Sequence, residues 1–510
     1  MTTTHFDRFI RPLLASRYFT ISAVIHLLIV ILFGGKVLFN KYVEPPDFQS
    51  AGDGGADTGP IAPPPPDTLP PPPPLVAPPP IPAAAANAIV SINAAPSNFA
   101  IPLPAIAPPT ITKSMGKAGP QTFKAGPAVA LPASMRMRDP TRHSEAAASY
   151  GEKSGAEEAV LKALRWLQAK QNADGTWSTQ GFKGGMTGLS LLCYLGHGET
   201  PANSHEFGAV VNAAITALEA ESARNEGRLT FVNGFQGNAS AYEHAICTYA
   251  LCEAYTMTKD DKLAPIVTKA VDYILKGQRE NGGWAYSYDV IPGPLSDKDH
   301  PTGIEKSDTS VSGWQIQALK AAHLTGLPGM SGVPAALDKA MKNMDRVFNP
   351  KNGSFGYRMP GDHDYTLTGV GALSKLFWMG RADRNIREAI KNIQSKEVKW
   401  DDPSANIYSW YYNTQASFQA QGGAWDWWKS RFQDQLTSHQ NSDGSWPPIG
   451  PPPPPPKPNE KPAGSLNGFL NGPNDVDHIY RTTLCCLMLE VFYRYLPTSQ
   501  SGGGGGVEGL

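Results

Sequence analysis

No block of lysine or arginine stands out in this 510-residue chain, and its formal net charge is −1. The electrostatic footprint of a nucleic-acid binder is missing, so nucleic acid is set aside as a partner. Cysteine is scarce, and none of the five stands at a metal-ligand spacing such as C-x-x-C. Cys193, Cys247, Cys252, Cys485 and Cys486 all fall inside apolar, helix-like runs. Free cysteine packs as a small hydrophobe, so buried, inert thiols are expected, with no metal and no cofactor. Proline, by contrast, is abundant at 48 residues, and too clustered for the whole chain to fold.

The first informative segment is Tyr18 to Gly35, YFTISAVIHLLIVILFGG, which approaches the roughly 20 apolar residues that cross a bilayer as a helix. Lys36 and Lys41 follow it in place of a small-residue cleavage site, which predicts an uncleaved anchor over 18–35. Arg8, Arg11 and Arg17 precede it, so residues 1–17 are expected in the cytoplasm and all beyond Lys36 outside the inner membrane. Ser22 and His26 lie four residues apart and share one helix face. A histidine in hydrocarbon marks a function by default. The Ser-x-x-x-His pattern in a single span ahead of a proline-rich stretch resembles the anchor of TonB-type energy transducers. That resemblance implies that Ser22 and His26 contact a proton-driven motor complex of the inner membrane.

Over 44–143 the chain is dominated by Pro, Ala and Gly, with runs such as PPPPPDTLPPPPPLVAPPPIPAAAA. Such sequence cannot bury enough apolar surface to fold and favours extended polyproline II. At about 3.1 Å per residue it could stretch towards roughly 300 Å, enough for a disordered tether spanning a periplasm.

From about Gly151 the pattern turns helical and repetitive. Four loops align: QNADGTW at Gln171–Trp177, QRENGGW at Gln278–Trp284, NPKNGSFGY at Asn349–Tyr357 and QNSDGSW at Gln440–Trp446. Each follows an amphipathic helix, as in EEAVLKALRWLQAKQ, where Val160, Leu161, Leu164 and Leu167 sit at core spacing. Asn/Asp-Gly stops the helix and the aromatic tucks back onto its end, so the loop is expected to be a structural staple. More apolar helices are predicted from near Met186, Tyr242, Thr309, Thr366, Asn406 and Asp475. Outer-inner hairpins spaced by about 60 residues, none able to bury its own apolar face, close most simply into an all-α (α/α)6 toroid over 151–497. A proline-rich insert at 447–464 would be a flap outside the ring, and the Gly-rich tail at 498–510 carries no assignment.

The Q-x-x-x-G-x-W loops resemble the QW repeats of squalene and hopene cyclases and the related repeats of protein prenyltransferase β subunits. The resemblance covers about Ala156 to Pro497 and implies the toroid; function needs its own argument. The cyclases carry an acid run, Asp-x-Asp-Asp-Thr-Ala, whose nearest counterpart here is Glu305–Ser310, with Ser307 at the position of the general acid. A serine hydroxyl is far too weak an acid to protonate an alkene. The prenyltransferase zinc set needs an Asp-x-Cys motif, which the chain lacks, although Asp475 and His478 resemble its His-bearing helix start.

Polar residues gather at the predicted starts of inner helices: Glu243 and His244, Glu305 and Asp308, Asp362, His363 and Asp364, and Asp475, Asp477 and His478, with Asp297, Asp299 and His300 in a preceding loop. Parallel inner helices would converge these on one mouth of the toroid, the candidate pocket, although acids at helix N-termini also serve as caps. With both known chemistries missing their reagents, the expected role is a non-catalytic binding or scaffold module that takes a lipid, glycan or envelope protein. The alternative is an enzyme acting on an isoprenoid or glycan, the latter favoured by Trp410, Tyr411, Tyr412, Trp425, Trp427 and Trp428.

Overall fold

The chain divides into two units, Met1–Ile111 and Thr112–Leu510. The computed structural model describes residues 131–179, 181–231, 240–286, 288, 307–361, 365–451 and 474–496, all in the second. The predicted span with Ser22 and His26 lies outside them. Among the described residues no helix is long and apolar enough to cross a membrane.

The amphipathic and apolar helices separate into two layers. After a short helix α1 (His143–Tyr150), the chain alternates α2 (Ala156–Lys170), α3 (Lys183–Gly196), α4 (Gly208–Arg224), α5 (Ser240–Thr258), α6 (Leu263–Lys276) and α7 (Thr309–Leu324). It continues through α8 (Val333–Val347), α9 (Thr368–Trp378), α10 (Ile386–Gln394), α11 (Ile407–Ala420), α12 (Gly422–His439) and α13 (Asp475–Leu489), and ends in the turn α14 (Val491–Arg494). Even-numbered helices from α2 to α12 bury one stripe each; α6, for instance, buries Leu263, Val267, Ala270, Val271 and Ile274. Odd-numbered ones from α3 to α13 are buried nearly all round, as α3 is from Gly184 to Gly196. The inner helices pack in sequence, α3 on α5, α5 on α7, and so on to α13, which returns to α3. Each outer helix packs on the two inner helices flanking it. The fold is an (α/α)6 toroid, as the sequence predicts.

The repeated loops explain how the ring is held. The indole Nε1 of Trp177 donates to Leu167 O (2.8 Å), that of Trp284 to Ile274 O (2.7 Å) and that of Trp446 to Leu436 O (2.8 Å). Each acceptor is among the last four carbonyls of an outer helix, which have no partner inside the helix. The loop glutamine works in the other direction. Gln171 Nε2 donates to Gly175 O and Val210 O, Gln278 Nε2 to Gly282 O and Ala336 O, and Gln440 Nε2 to Gly444 O and Ala159 O. Each loop thus ties the end of one outer helix to the start of the next, and Gln440 joins the last to the first. The glycine is required: Gly444 has φ 97°, and a Cβ there would meet Lys162 O at 2.3 Å. In the third loop, Asn349–Tyr357, Phe355 replaces tryptophan on a minimal hairpin pairing Phe348–Asn349 with Ser354–Phe355.

The folded unit begins earlier than composition suggests, which corrects the end of the predicted 44–143 tether. Ala133–Arg138 forms a 3-10 helix with Met135, Met137 and Arg138 buried. Arg138 Nε donates to Arg494 O (2.8 Å) and its two Nη groups to the Glu253 carboxylate (2.7 and 3.0 Å), with Nη1 also reaching Leu195 O at the end of α3. Tyr495 hydroxyl donates to Glu253, and buried Lys320 lies over the rings of Tyr495 and Phe377. Burial pushes the Glu253 carboxyl up, but the charges of Arg138 and Arg494 overcome it and hold it at about 2. The N-terminal segment and α14 thereby close the ring at the C-terminal ends of the inner helices, leaving a cavity lined by Gln415, Phe418, Arg494 and Tyr495 with room for about one water. All five cysteines are free and buried. The first residues of the 447–464 insert pack rather than float: Ile449 is buried and Gly450 N donates to Trp400 O (2.8 Å), while 452–464 lie outside the described residues.

Candidate functional site

The starts of the inner helices share one face, but the polar residues found there divide into separate roles. Glu243 is buried and accepts the backbone N–H groups of Gly184 and Gly185 (3.0 and 3.3 Å), capping the start of the neighbouring α3. Burial pushes its carboxyl up to about 7, against the lowering effect of those N–H groups. His244 is fully buried, and its Nδ1 accepts from Leu229 N (2.9 Å). That fixes the proton on Nε2, which donates to Ala270 O (2.9 Å) on the outer helix α6. Burial holds it neutral, with its pKa lowered to about 4. His244 therefore ties inner to outer ring and takes no part in a pocket.

At α13, Asn474 caps the helix through Asp477 N (3.0 Å), Asp475 Oδ2 accepts Thr179 N (3.3 Å), and Asp477 is buried in the first turn. The two acids complement the positive end of the helix dipole. Burial and the charge of Arg481 lower the pKa of His478. Glu305, Asp362, His363 and Asp364, together with Asp297, Asp299 and His300, lie outside the described residues.

Asp308 is different, because side chains from distant parts of the chain converge on it. It caps α7, accepting Ser310 N (2.7 Å) and Ser310 Oγ (2.5 Å) on Oδ1. On Oδ2 it accepts the Tyr286 hydroxyl, which also meets that of Tyr357. Tyr242, from the first turn of α5, shares a hydrogen bond with Ser310 Oγ (2.6 Å), and Tyr408, from the first turn of α11, donates to Ser310 O (3.1 Å). Tyr242, Tyr286, Tyr357 and Tyr408 are all half-buried, a group of aromatic rings about a buried carboxylate, termed the bowl. Burial and the neighbouring Asp308 charge raise the hydroxyls of Tyr242 and Tyr286, and push that of Tyr357 up to about 12, so all three are neutral donors. One turn deeper the lumen is filled: Trp314 stacks on Tyr411 (5.5 Å), Tyr412 packs beside both, and all three are buried.

Ser307, at the position of the cyclase acid, sits among Asn281, Asn343 and Arg346 rather than in the lumen. The bowl tyrosines gave no local signal in the sequence. Only the common placement of Tyr242 and Tyr408 in the first turn of an inner helix could have linked them. Trp410, Tyr411, Tyr412, Trp425 and Trp428 are packing residues, all buried, while Trp427 is half-buried under Arg431.

No protein-family model matches the chain, and no curated protein matches it. Solved structures with a similar helical arrangement include the GH76A alpha-1,6-mannanase from Salegentibacter sp. HEL1_6, at 13% identity, covering 66% of this chain and 98% of that one, with a TM-score of 0.45. The type II terpene cyclase MstE from Scytonema stands at 14% identity, 66% and 98% coverage and a TM-score of 0.44. A GH76 alpha-mannanase of Bacteroides thetaiotaomicron stands at 11%, 68%, 98% and 0.46. Likeness at this level carries no chemistry from those proteins to this one.

Proposed function

We propose that this chain is a single-pass protein of the inner membrane whose toroid, held outside on the proline-rich tether, binds a glycan in the tyrosine bowl around Asp308. The observation that carries the reading is the convergence of four half-buried tyrosines and Ser310 on one buried carboxylate. Sugar rings offer apolar C–H faces beside hydroxyls, and tyrosine answers both, with an apolar ring and a polar tip. An isoprenoid would make no use of the polar tips of those rings, and the lumen beneath the bowl is occupied by Trp314, Tyr411 and Tyr412. Kinship with the cyclase and prenyltransferase repeats is supported by the three glutamine-tryptophan staples. Contact of Ser22 and His26 with a motor complex rests on the sequence pattern alone.

The reading is binding, with cleavage kept as an outcome of the test. Glycosidases use two carboxyl groups about 5 to 9.5 Å apart, and among the described residues of this face Glu243 and Asp475 are engaged with backbone N–H groups elsewhere. The test is retention of the full-length protein, in detergent, on immobilised envelope and storage polysaccharides. Wild type is expected to bind, with about tenfold or greater loss in Asp308→Asn and in Tyr357→Phe. Because Asp308 is also a helix cap, melting is compared in parallel, and a fall of about 1 kcal/mol is expected from the cap alone. No retention on any glycan, with an isoprenoid or acyl lipid extracted from the purified protein, would overturn the proposal. Reducing ends released by wild type but not by Asp308→Asn would convert it to a hydrolase.

A further inference from the structure

Away from the bowl, where the N-terminal segment meets the ring, three residues come together that the sequence separates by 14 and 40 positions. His143 opens α1, Glu157 lies in the first turn of α2, and His197 directly follows α3. Nε2 of His197 is 2.9 Å from Glu157 Oε1, Nδ1 of His143 is 3.4 Å from the same oxygen, and one donor atom from each residue lies within 4.8 Å of the other two. Zinc binds nitrogen and carboxylate oxygen at about 2.0 to 2.2 Å, so tetrahedral ligands stand about 3.3 to 3.6 Å apart. The two nitrogen–oxygen separations lie within or below that range and the two nitrogens are at most 4.8 Å apart, so modest side-chain shifts would bring all three onto one ion.

The surroundings orient these groups as a metal site requires. His197 Nδ1 is paired with Glu199 Oε1 at 2.7 Å, which turns Nε2 towards Glu157. A carboxylate on the far nitrogen is the usual companion of a metal-bound histidine, fixing its tautomer and raising its basicity. Tyr493 stacks on His143 at 4.0 Å and 8°, and its hydroxyl donates to Glu157 Oε2 (3.4 Å). On His143 it is Nδ1 that faces Glu157, and its far nitrogen Nε2 is buried without an acceptor, so of the two histidines only His197 carries that carboxylate companion. The two histidine side chains are 10% and 7% exposed while that of Glu157 is 40% exposed, which gives an ion an entry path and a water the fourth position.

The geometry points to a mononuclear site for zinc or a similar divalent transition ion at His143, Glu157 and His197. Two nitrogens and one carboxylate oxygen suit such ions rather than calcium or magnesium, which prefer all-oxygen shells. The ion would join α1 to the first outer and first inner helices, fastening the segment that closes the ring. It is a site the cysteine and motif patterns do not announce, because its ligands share no local spacing.

The test uses the full-length protein in detergent, stripped with a chelator and equilibrated with zinc chloride, with bound zinc per chain measured by atomic absorption. One equivalent is expected in wild type. Glu199→Gln should weaken zinc affinity by about 10- to 100-fold while leaving the three ligands in place. Glu157→Gln, which keeps shape and a hydrogen bond to His197, should abolish stoichiometric binding, as should His143→Ala. Metal-free circular dichroism and melting serve as the folding control, and Glu157→Gln decides the matter if His143→Ala does not fold. Absence of bound zinc in wild type, or zinc retained equally by a folded Glu157→Gln, would overturn the site.

Discussion

Replacing Arg138 with leucine removes the cation from a carboxylate that no solvent reaches. Arg138 and Glu253 side chains are both 0% exposed, and the guanidinium also serves Arg494 O and Leu195 O. Without Arg138 the Glu253 charge keeps only the influence of Arg494 and the Tyr495 hydroxyl, and breaking a buried pair on one side costs about 3 to 5 kcal/mol. That is a large share of the ~5 to ~15 kcal/mol that holds a typical protein folded. The assay is urea denaturation followed by circular dichroism at pH 7, with Glu253→Leu and the double variant alongside. The double variant should recover much of the loss, giving a coupling energy above ~1 kcal/mol. A pH series adds a sign. Glu253 is held at about 2, below its ordinary 4.5, so its contribution is complete above about 4.5 and is lost as pH falls towards 2. In Arg138→Leu the stranded carboxyl can take up a proton, so the penalty should shrink as pH is lowered from 7 to 5. A single-variant loss under ~1 kcal/mol, or a double variant no better than the single, would refute the reasoning.

Gly444→Ala should cost on the order of 2 kcal/mol or more, because the left-handed backbone and Lys162 O both oppose a Cβ; thermal melting against an Ala substitution at exposed Ser442 is the comparison. His244 has its pKa lowered to about 4, so the unfolded chain takes up its proton first and stability is lost as pH falls from about 6.5 to 4. His244→Gln keeps an acceptor and a donor but cannot titrate. It should flatten roughly 3 kcal/mol of that acid slope in denaturation curves, and an unchanged slope would place the proton elsewhere. If Ser22 and His26 face a motor complex, His26→Ala should abolish crosslinking of the full chain to an inner-membrane partner, and crosslinking at the wild-type level would discard the contact.

The toroid was legible because its signals are local. Stripe-like and all-round apolarity separate outer from inner helices, and the predicted inner starts near Met186, Tyr242, Thr309, Thr366, Asn406 and Asp475 fall within a few residues of the observed ones. The staples were legible for the same reason, since Asn/Asp-Gly and the following aromatic act within ten residues of their partners. Arg138 was not. It sits in a Pro- and Ala-rich stretch that resembles tether, and what folds it is a carboxylate 115 residues away. Glu243 and His244 show a related difficulty. A polar residue at a helix start looks alike in sequence whether it points into the lumen or, as His244 does, back to Ala270. The bowl depends on hydroxyls brought together from Tyr242, Tyr286, Tyr357 and Tyr408, and nothing in any one neighbourhood encodes that meeting.

The chain's entry and exit lie side by side, for Leu496 N donates to Ser134 O at 2.8 Å. Tension on the segment leading into Leu131 would reach the Ser134–Leu496 contact first and then the forked grip of Arg138 on Glu253, before loading any hairpin of the ring. The closing segment is thus the first part of the folded unit that a load arriving at Leu131 would meet, in the sense of a knot behind a washer, and it lies at the opposite ends of the inner helices from the bowl.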